Sequence, residues 1–259
     1  MAKRILIKLG GGLITHKDEL CVPRLDVIDA CSKAIAELQD AGWSPIIVHG
    51  AGGFGHQRAK QFQLSGGKNM EIDGQEEAVE LVREEMLILN SLVCQSLIKQ
   101  GLRVASFPPH VWAKGTDANF SGSIDTFCRD DGIIPVTFGD VTERENDLLF
   151  GILSGDHLMV KLSQIEGVSK AVFALNGIDG LMSKPVDGKL IARLSSNSEF
   201  ITHHDTDVDV TGGIGLKVDC AKSMARDGLE VWLLDGTKPE RLIEAVIDGI
   251  TIGTLVESV

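Results

Sequence analysis

The chain has little that would draw it to a polyanion. Lys and Arg number 25 against 37 Asp and Glu, a formal net charge of −12, and no basic tail or low-complexity segment interrupts the 259 residues. General attraction to nucleic acid or an anionic membrane is therefore not expected, and any phosphate must be held locally by a few placed cations and backbone amides. Nothing approaches the run of about 20 apolar residues that spans a bilayer. The apolar stretch Ile5–Ile14 is broken by Lys8 and three glycines, so it reads as a strand and a loop rather than a secretion signal. The cysteines, at positions 21, 31, 94, 128 and 220, form no C-x-x-C pair and no metal-ligand spacing. They read as reduced thiols of a cytoplasmic protein, and no metal-ligating side chains are expected. A Walker A motif is absent. With neither a flexible linker nor an internal repeat, 259 residues are expected to fold as one domain with two lobes.

What the chain does have is three glycine-rich turns, each with its own cationic or imidazole side chain. They are Lys8-Leu9-Gly10-Gly11-Gly12 with Lys17, then His49-Gly50-Ala51-Gly52-Gly53-Phe54-Gly55-His56, then Thr211-Gly212-Gly213-Ile214-Gly215-Leu216-Lys217. Glycine lets backbone N–H groups approach an anion unobstructed, and a helix N-terminus behind the turn adds a favourable dipole. One such turn is common; three point to a site built around several phosphoryl groups, as in a phosphotransferase.

Short apolar runs at 4–9, 44–48, 102–107, 133–138, 170–175, 229–234 and 251–256 predict strands. Helical spacing predicts helices over 24–40, 55–63, 75–99, 122–130, 155–166, 214–227 and 238–247. Extended segments at 181–184 and 189–193, flanking Asp187-Gly188, read as a hairpin. Alternating strands and helices imply a mostly parallel sheet covered on both faces, with ligands outside the carboxyl ends of its strands.

Gly50–Gly55 also fits G-x-G-x-x-G, the pattern of dinucleotide sites. The acids at the required distance, Glu71 and Asp73, follow no strand, so the ribose-binding part of that pattern is missing. His56 closes a glycine loop at a helix start, where it could donate to a phosphate; His49, inside the strand end, reads as structural, and His16, His110, His203 and His204 as surface or satisfied groups. Lys8 lies in an apolar strand, where an unpaired ammonium is costly, so it needs a ligand phosphate or a carboxylate. Asp156 is a candidate partner; its alternative role is to complement the dipole of the helix it begins. Lys17 reads either as a phosphate contact or as a solvated loop lysine, and Lys217 either as a phosphate ligand or as a helix-surface lysine.

Taken together, K-L-G-G-x-L-I-T-x-K (Lys8–Lys17), H-G-x-G-x-F-G-H (His49–His56), G-I-L-S-G-D (Gly151–Asp156), L-x-x-x-D-G (Leu175–Gly180) and D-V-T-G-G-x-x-x-K (Asp209–Lys217) resemble the amino acid kinase family over nearly the whole chain. Within it they are most similar to members acting on isoprenoid monophosphates. The resemblance implies an αβα sandwich with a mostly parallel central sheet, an acceptor lobe over about 1–167 and a nucleotide lobe over about 168–259. It implies transfer of the ATP γ-phosphoryl group to isopentenyl phosphate with Mg2+, and a homodimer, since relatives are often dimers. Lys8 and Lys17 would neutralise charge on the phosphates; Gly10, Gly11, Gly12 and Gly52 would offer amides; His56, Ala51, Gly52 and Gly155 would hold the acceptor phosphate. Gly213 and Lys217, with Asn176 and Asp179, would lie on the nucleotide side, and Asp156 among the catalytic groups. The family often has serine at positions 12 and 53 and Thr-Asp at 176–177, where this chain has glycines and Asn-Gly. A fosfomycin-type phosphonate kinase shares the histidine, and a catalytically silent nucleotide-binding module shares the fold; both are alternatives.

Overall fold

The computed structural model describes residues 3–144, 147–184, 188–198 and 213–258. Its centre is β1 (Lys3–Leu9), buried from Arg4 onward. Strands β2 (Trp43–His49), β3 (Arg103–Ser106), β4 (Ile133–Phe138), β7 (Val168–Leu175), β8 (Arg193–Ser195), β9 (Glu230–Asp235) and β10 (Gly253–Glu257) join it in one sheet, ordered β3-β4-β2-β1-β7-β9-β10-β8. The antiparallel pair β5 (Asp140–Glu143) and β6 (Phe150–Leu153) stands apart. Only the β9–β10 pairing in the main sheet is antiparallel; the others are parallel, among the described residues. Parallel strands covered on both faces need apolar residues at nearly every position, which is why β1, β2 and β7 read as continuous runs.

The helices are α1 (Gly11–Ile14), α2 (Leu25–Asp40), α3 (His56–Gln61), α4 (Gln75–Lys99), α5 (Pro109–Trp112), α6 (Gly155–Leu162), α7 (Gly213–Arg226) and α8 (Glu240–Ile243), the last running on into a π turn. Two cores sandwich the sheet. Ile5, Ile7, Ile47 and Leu234 pack with α2, α4 and α8, whereas Leu6, Val48, Phe173 and Val231 pack with α6 and α7. Side chains alternate across a strand, so Lys8 shares the α6–α7 face with Leu6. Register levels the strand ends: Leu9 lies opposite both His49 and Ala174, and Leu175 opposite Asp235. β1 is where the strand order changes direction, with β2 on one side and β7 on the other, and the crevice beyond its carboxyl end is where such sheets bind ligands.

The three-layer architecture predicted from the sequence is therefore present. The helix predicted over 122–130 is not: a single 3-10 turn, Asp125–Phe127, stands there. Ser123 Oγ accepts from Asp125 N, so a side chain takes up a backbone group at the start of the segment. The predicted hairpin is reduced to one antiparallel bridge, Met182 to Leu190; Asp187 of its turn lies outside the described residues, and Arg193–Ser195 pair instead with β10. Thr211, Gly212, His203, His204 and Asp209 also lie outside the described residues.

Candidate functional site

Three charged groups converge from three elements. Lys8 Nζ of β1 lies 2.5 Å from Asp156 Oδ1, at the start of α6, and Lys217 Nζ of α7 lies 3.0 Å from the same oxygen and 3.3 Å from Oδ2. Ser154 caps α6 by accepting from Asp156 N at 3.2 Å, and Asp156 both pairs with Lys8 and stands as the acid in the first turn of that helix, the two positions read for it from sequence. The Phe173 ring stands beside both ammonium groups, at 6.0 Å from Lys8 and 5.5 Å from Lys217. Burial pulls the Lys8 pKa down to about 8 against the attraction of Asp156. Burial also opposes ionisation of Asp156, but Lys217 and Lys8 outweigh it and hold the carboxyl near 2. At neutral pH two cations thus share one anion in a desolvated pocket, an excess of positive charge aimed at the crevice. Removing the Asp156 carboxylate would leave two ammonium groups without their shared counter-charge, and breaking a buried pair in this way typically costs about 3–5 kcal/mol.

Above this cluster the first two glycine turns interlock. A Cβ on Gly11 would lie 2.2 Å from Gly52 N, one on Gly50 2.5 Å from Gly11 N, and one on Gly52 2.0 Å from Thr15 Oγ1. Gly52 also has φ +51, a left-handed conformation. Thr15, fully buried, bolts the turns together: its Oγ1 donates to Gly11 O at 2.8 Å and accepts from Gly53 N at 2.9 Å. The amides of Gly11, Gly12, Ala51, Gly52 and Gly155 have no acceptor among the described residues. Five N–H groups without an acceptor thus stand in the turns beside a cationic cluster, an arrangement suited to phosphate oxygens.

The other predicted residues fall around this centre. Gly155 sits over the cluster, its Cβ position 3.1 Å from Lys8 Cε. The Lys17 stem passes beside Gly12, where a Cβ would lie 4.0 Å from Lys17 Cδ. His56 is the first residue of α3 and half-buried, following Gly55, which packs against Val82 and Met86 of α4. His49 is structural as predicted: it is buried, stacks on Phe138 at 5.1 Å, contacts Asn90 Oδ1 at 3.3 Å, and burial lowers its pKa to about 4. His110 is satisfied by the buried Asp140, 2.6 Å from its Nδ1. Asn176 follows β7, and Asp179 is paired with Arg241 at 2.6 Å. Gly213 opens α7 with φ +55. Three residues were not anticipated from sequence. Thr15 is one. Asp235, at the end of β9, accepts from Gly177 N at 2.9 Å and so brings a carboxylate to the position where the chain has Gly177. Arg24 donates to Asn176 Oδ1 at 2.6 Å. Thr15 lies within the Lys8–Lys17 motif, Arg24 precedes α2 and Asp235 ends β9, but no local spacing marks the partner of any of them.

Comparison with known proteins agrees with this geometry. The sequence model of the amino acid kinase family matches residues 3–235. The isopentenyl phosphate kinase of Thermoplasma acidophilum is 32% identical over 92% of this chain and 94% of its own. A crystal structure of that enzyme's product complex superposes with a TM-score of 0.79 at 26% identity, covering 98% of this chain and 99% of its own. A structure of an isopentenyl phosphate kinase substrate complex superposes with a TM-score of 0.80 at 28% identity, covering 98% of this chain and all of its own (100%).

Proposed function

The chain belongs to the amino acid kinase family, and we propose that it transfers the γ-phosphoryl group of ATP to isopentenyl phosphate, giving isopentenyl diphosphate and ADP. The observation that carries the reading is the Lys8–Asp156–Lys217 cluster lying beneath unpaired amides of both glycine turns. Curated relatives over the same length of chain are named for this activity. The phosphonate-kinase alternative is not favoured, since the curated relatives over this length are named isopentenyl phosphate kinases, and the silent-module alternative is not favoured, since Lys8, Lys17, His56 and Lys217 are all retained.

In the proposed mechanism the acceptor phosphate oxygen is already ionised at neutral pH, so no general base is needed. It would attack the γ-phosphorus in line while the bond to the leaving β-phosphate oxygen breaks. Gly10, Gly11, Gly12 and Gly52 would cradle the ATP phosphates, with Gly213 and Lys217 on the nucleotide side, and Asn176 and Asp179 farther out. Ala51, Gly155 and His56 would hold the acceptor phosphate. Lys8 would bridge the two, and Asp156 would orient both lysines without contacting the phosphorus. Both Asp156 oxygens are engaged by ammonium groups, so Mg2+ would be held chiefly by the nucleotide's own oxygens, where it neutralises charge on the β- and γ-phosphates. The acceptor lobe, about 1–167, and the nucleotide lobe, about 168–259, meet along β1 and β7. We extend the reading to a homodimer, because exposed Leu81 and Ile88 and half-buried Leu92 form an apolar row along α4 that pairing would cover.

The direct test is ADP release measured with isopentenyl phosphate, dimethylallyl phosphate, fosfomycin and acetylglutamate as acceptors. Turnover is expected with the isoprenoid phosphates. Preferential turnover of either of the other two, or none with any, would refute the assignment.

A further inference from the structure

Arg24 has no place in the mechanism above. Its backbone N–H donates to Ile14 O at 2.8 Å and its Nη1 donates to Asn176 Oδ1 at 2.6 Å, so it spans from the turn after β1 to the residue after β7. These strands are neighbours, and Gly10 N donates to Ala174 O at 3.0 Å, which places Asn176 just beyond the start of the first glycine turn. Arg4, Arg58, Arg83, Arg129, Arg193 and Arg241 are each paired with a carboxylate. Arg24 is held by a neutral amide, and among the described residues it has no acidic partner. An amide oxygen fixes one corner of the guanidinium without cancelling its charge, and it leaves the other N–H donors of the planar fork free for a bidentate anion. A carboxylate at position 176 would fix the group equally well but neutralise it.

We propose that Arg24 binds the phosphate chain of the nucleotide and that Asn176 is its positioning residue. The inference rests on the reading that the Gly10–Gly12 turn receives ATP. It assigns a chemical reason to the Asn at 176: it presents a full positive charge where an acid would silence it.

ATP, ADP and AMP are titrated calorimetrically into the wild-type protein and into R24Q, R24K and N176D, and KM is measured separately for ATP and for the acceptor. Charge-assisted hydrogen bonds of this kind support about a 10-fold or larger weakening of ATP binding in R24Q. The acceptor KM and the melting temperature of the ligand-free protein are expected to stay put, which a purely structural role for Arg24 would not allow. N176D should weaken ATP in the same direction while keeping Arg24 in place, R24K should retain part of the affinity, and the losses should shrink from ATP to AMP. The salt dependence of ATP affinity should be shallower in R24Q than in the wild type. Should R24Q fold poorly, N176D carries the test, because it adds an ion pair at constant size. Wild-type protein that binds ATP alongside R24Q and N176D variants that bind it equally well would overturn the role of Arg24 alone. Wild-type protein that binds no ATP would overturn the donor assignment, and this inference with it.

Discussion

Gly12 and Gly52 occupy neighbouring glycine-rich turns, yet a methyl group added to the first would meet nothing closer than the Lys17 stem at 4.0 Å, whereas one added to the second would lie 2.0 Å from Thr15 Oγ1. Gly53 resembles Gly52, with Glu19 O 2.2 Å from its Cβ position. Gly11 of the first turn and Gly50, Gly52 and Gly53 of the second are thus enforced by neighbouring backbone, while Gly12 faces open space. A glycine-rich turn is therefore two signals superposed: one for close packing of loops, one for access to a ligand. Only the amides left without acceptors belong to the second. The same division separates the turns from the Lys8–Asp156–Lys217 cluster, where charge rather than shape is the organising quantity.

Substitutions can pull these signals apart. The largest effect is expected on turnover from Lys8→Ala or His56→Ala: loss of one preorganised donor at a charge-developing centre costs about 100- to 1,000-fold, with urea unfolding little changed for His56→Ala. A folded His56→Ala protein with unaltered kcat and KM would remove that residue from the site. Gly52→Ala should lower stability by about 3 kcal/mol, from a left-handed backbone and a clash with Thr15 together, read as a reduced urea midpoint. Stability of the ligand-free protein should fall by about 2 kcal/mol as the pH drops from 4 to 2. Asp156 titrates near 2 when folded against an ordinary aspartate value of 3.8, so the unfolded chain binds more protons in that window and the contribution disappears as the pH falls through it. That segment of the profile should flatten in Asp156→Asn. On the alkaline side, kcat/KM should decline above about pH 8 as Lys8 of the free protein loses its proton. The smallest effect is expected from Gly12→Ala, within about 1 kcal/mol of wild-type stability, since its Cβ has room. If Gly12→Ala destabilises as much as Gly52→Ala, the contrast between these two glycines is wrong.

The sheet was legible because buried parallel strands must be apolar throughout, and 133–138 and the helix at 75–99 match their predicted limits. The demand of Lys8 for a counter-charge was legible too, because an ammonium in a buried strand cannot stand alone. That Lys217 shares the same carboxylate was not, since the pairing depends on how α7 docks and not on any local spacing. Thr15, Arg24 and Asp235 escaped for a related reason: their partners lie 38, 152 and 58 residues away. The β5–β6 pair was missed because Leu149, not a glycine or asparagine, takes the left-handed position, with φ 56, beside its tight return. The helix expected at 122–130 gives way to a single turn where a short polar side chain, Ser123, takes up a backbone group.

One hydroxyl group has an outsized effect on how this molecule can move. Because Thr15 rivets the turn after β1 to the turn after β2, the two glycine turns form a single anvil. On the proposed reading of these turns, the spacing between an incoming oxygen and the phosphorus would be a manufacturing tolerance of the fold rather than the outcome of a domain closing. Any breathing that admits and discharges cargo must fall to the pieces outside that rivet, such as the segment carrying Lys217.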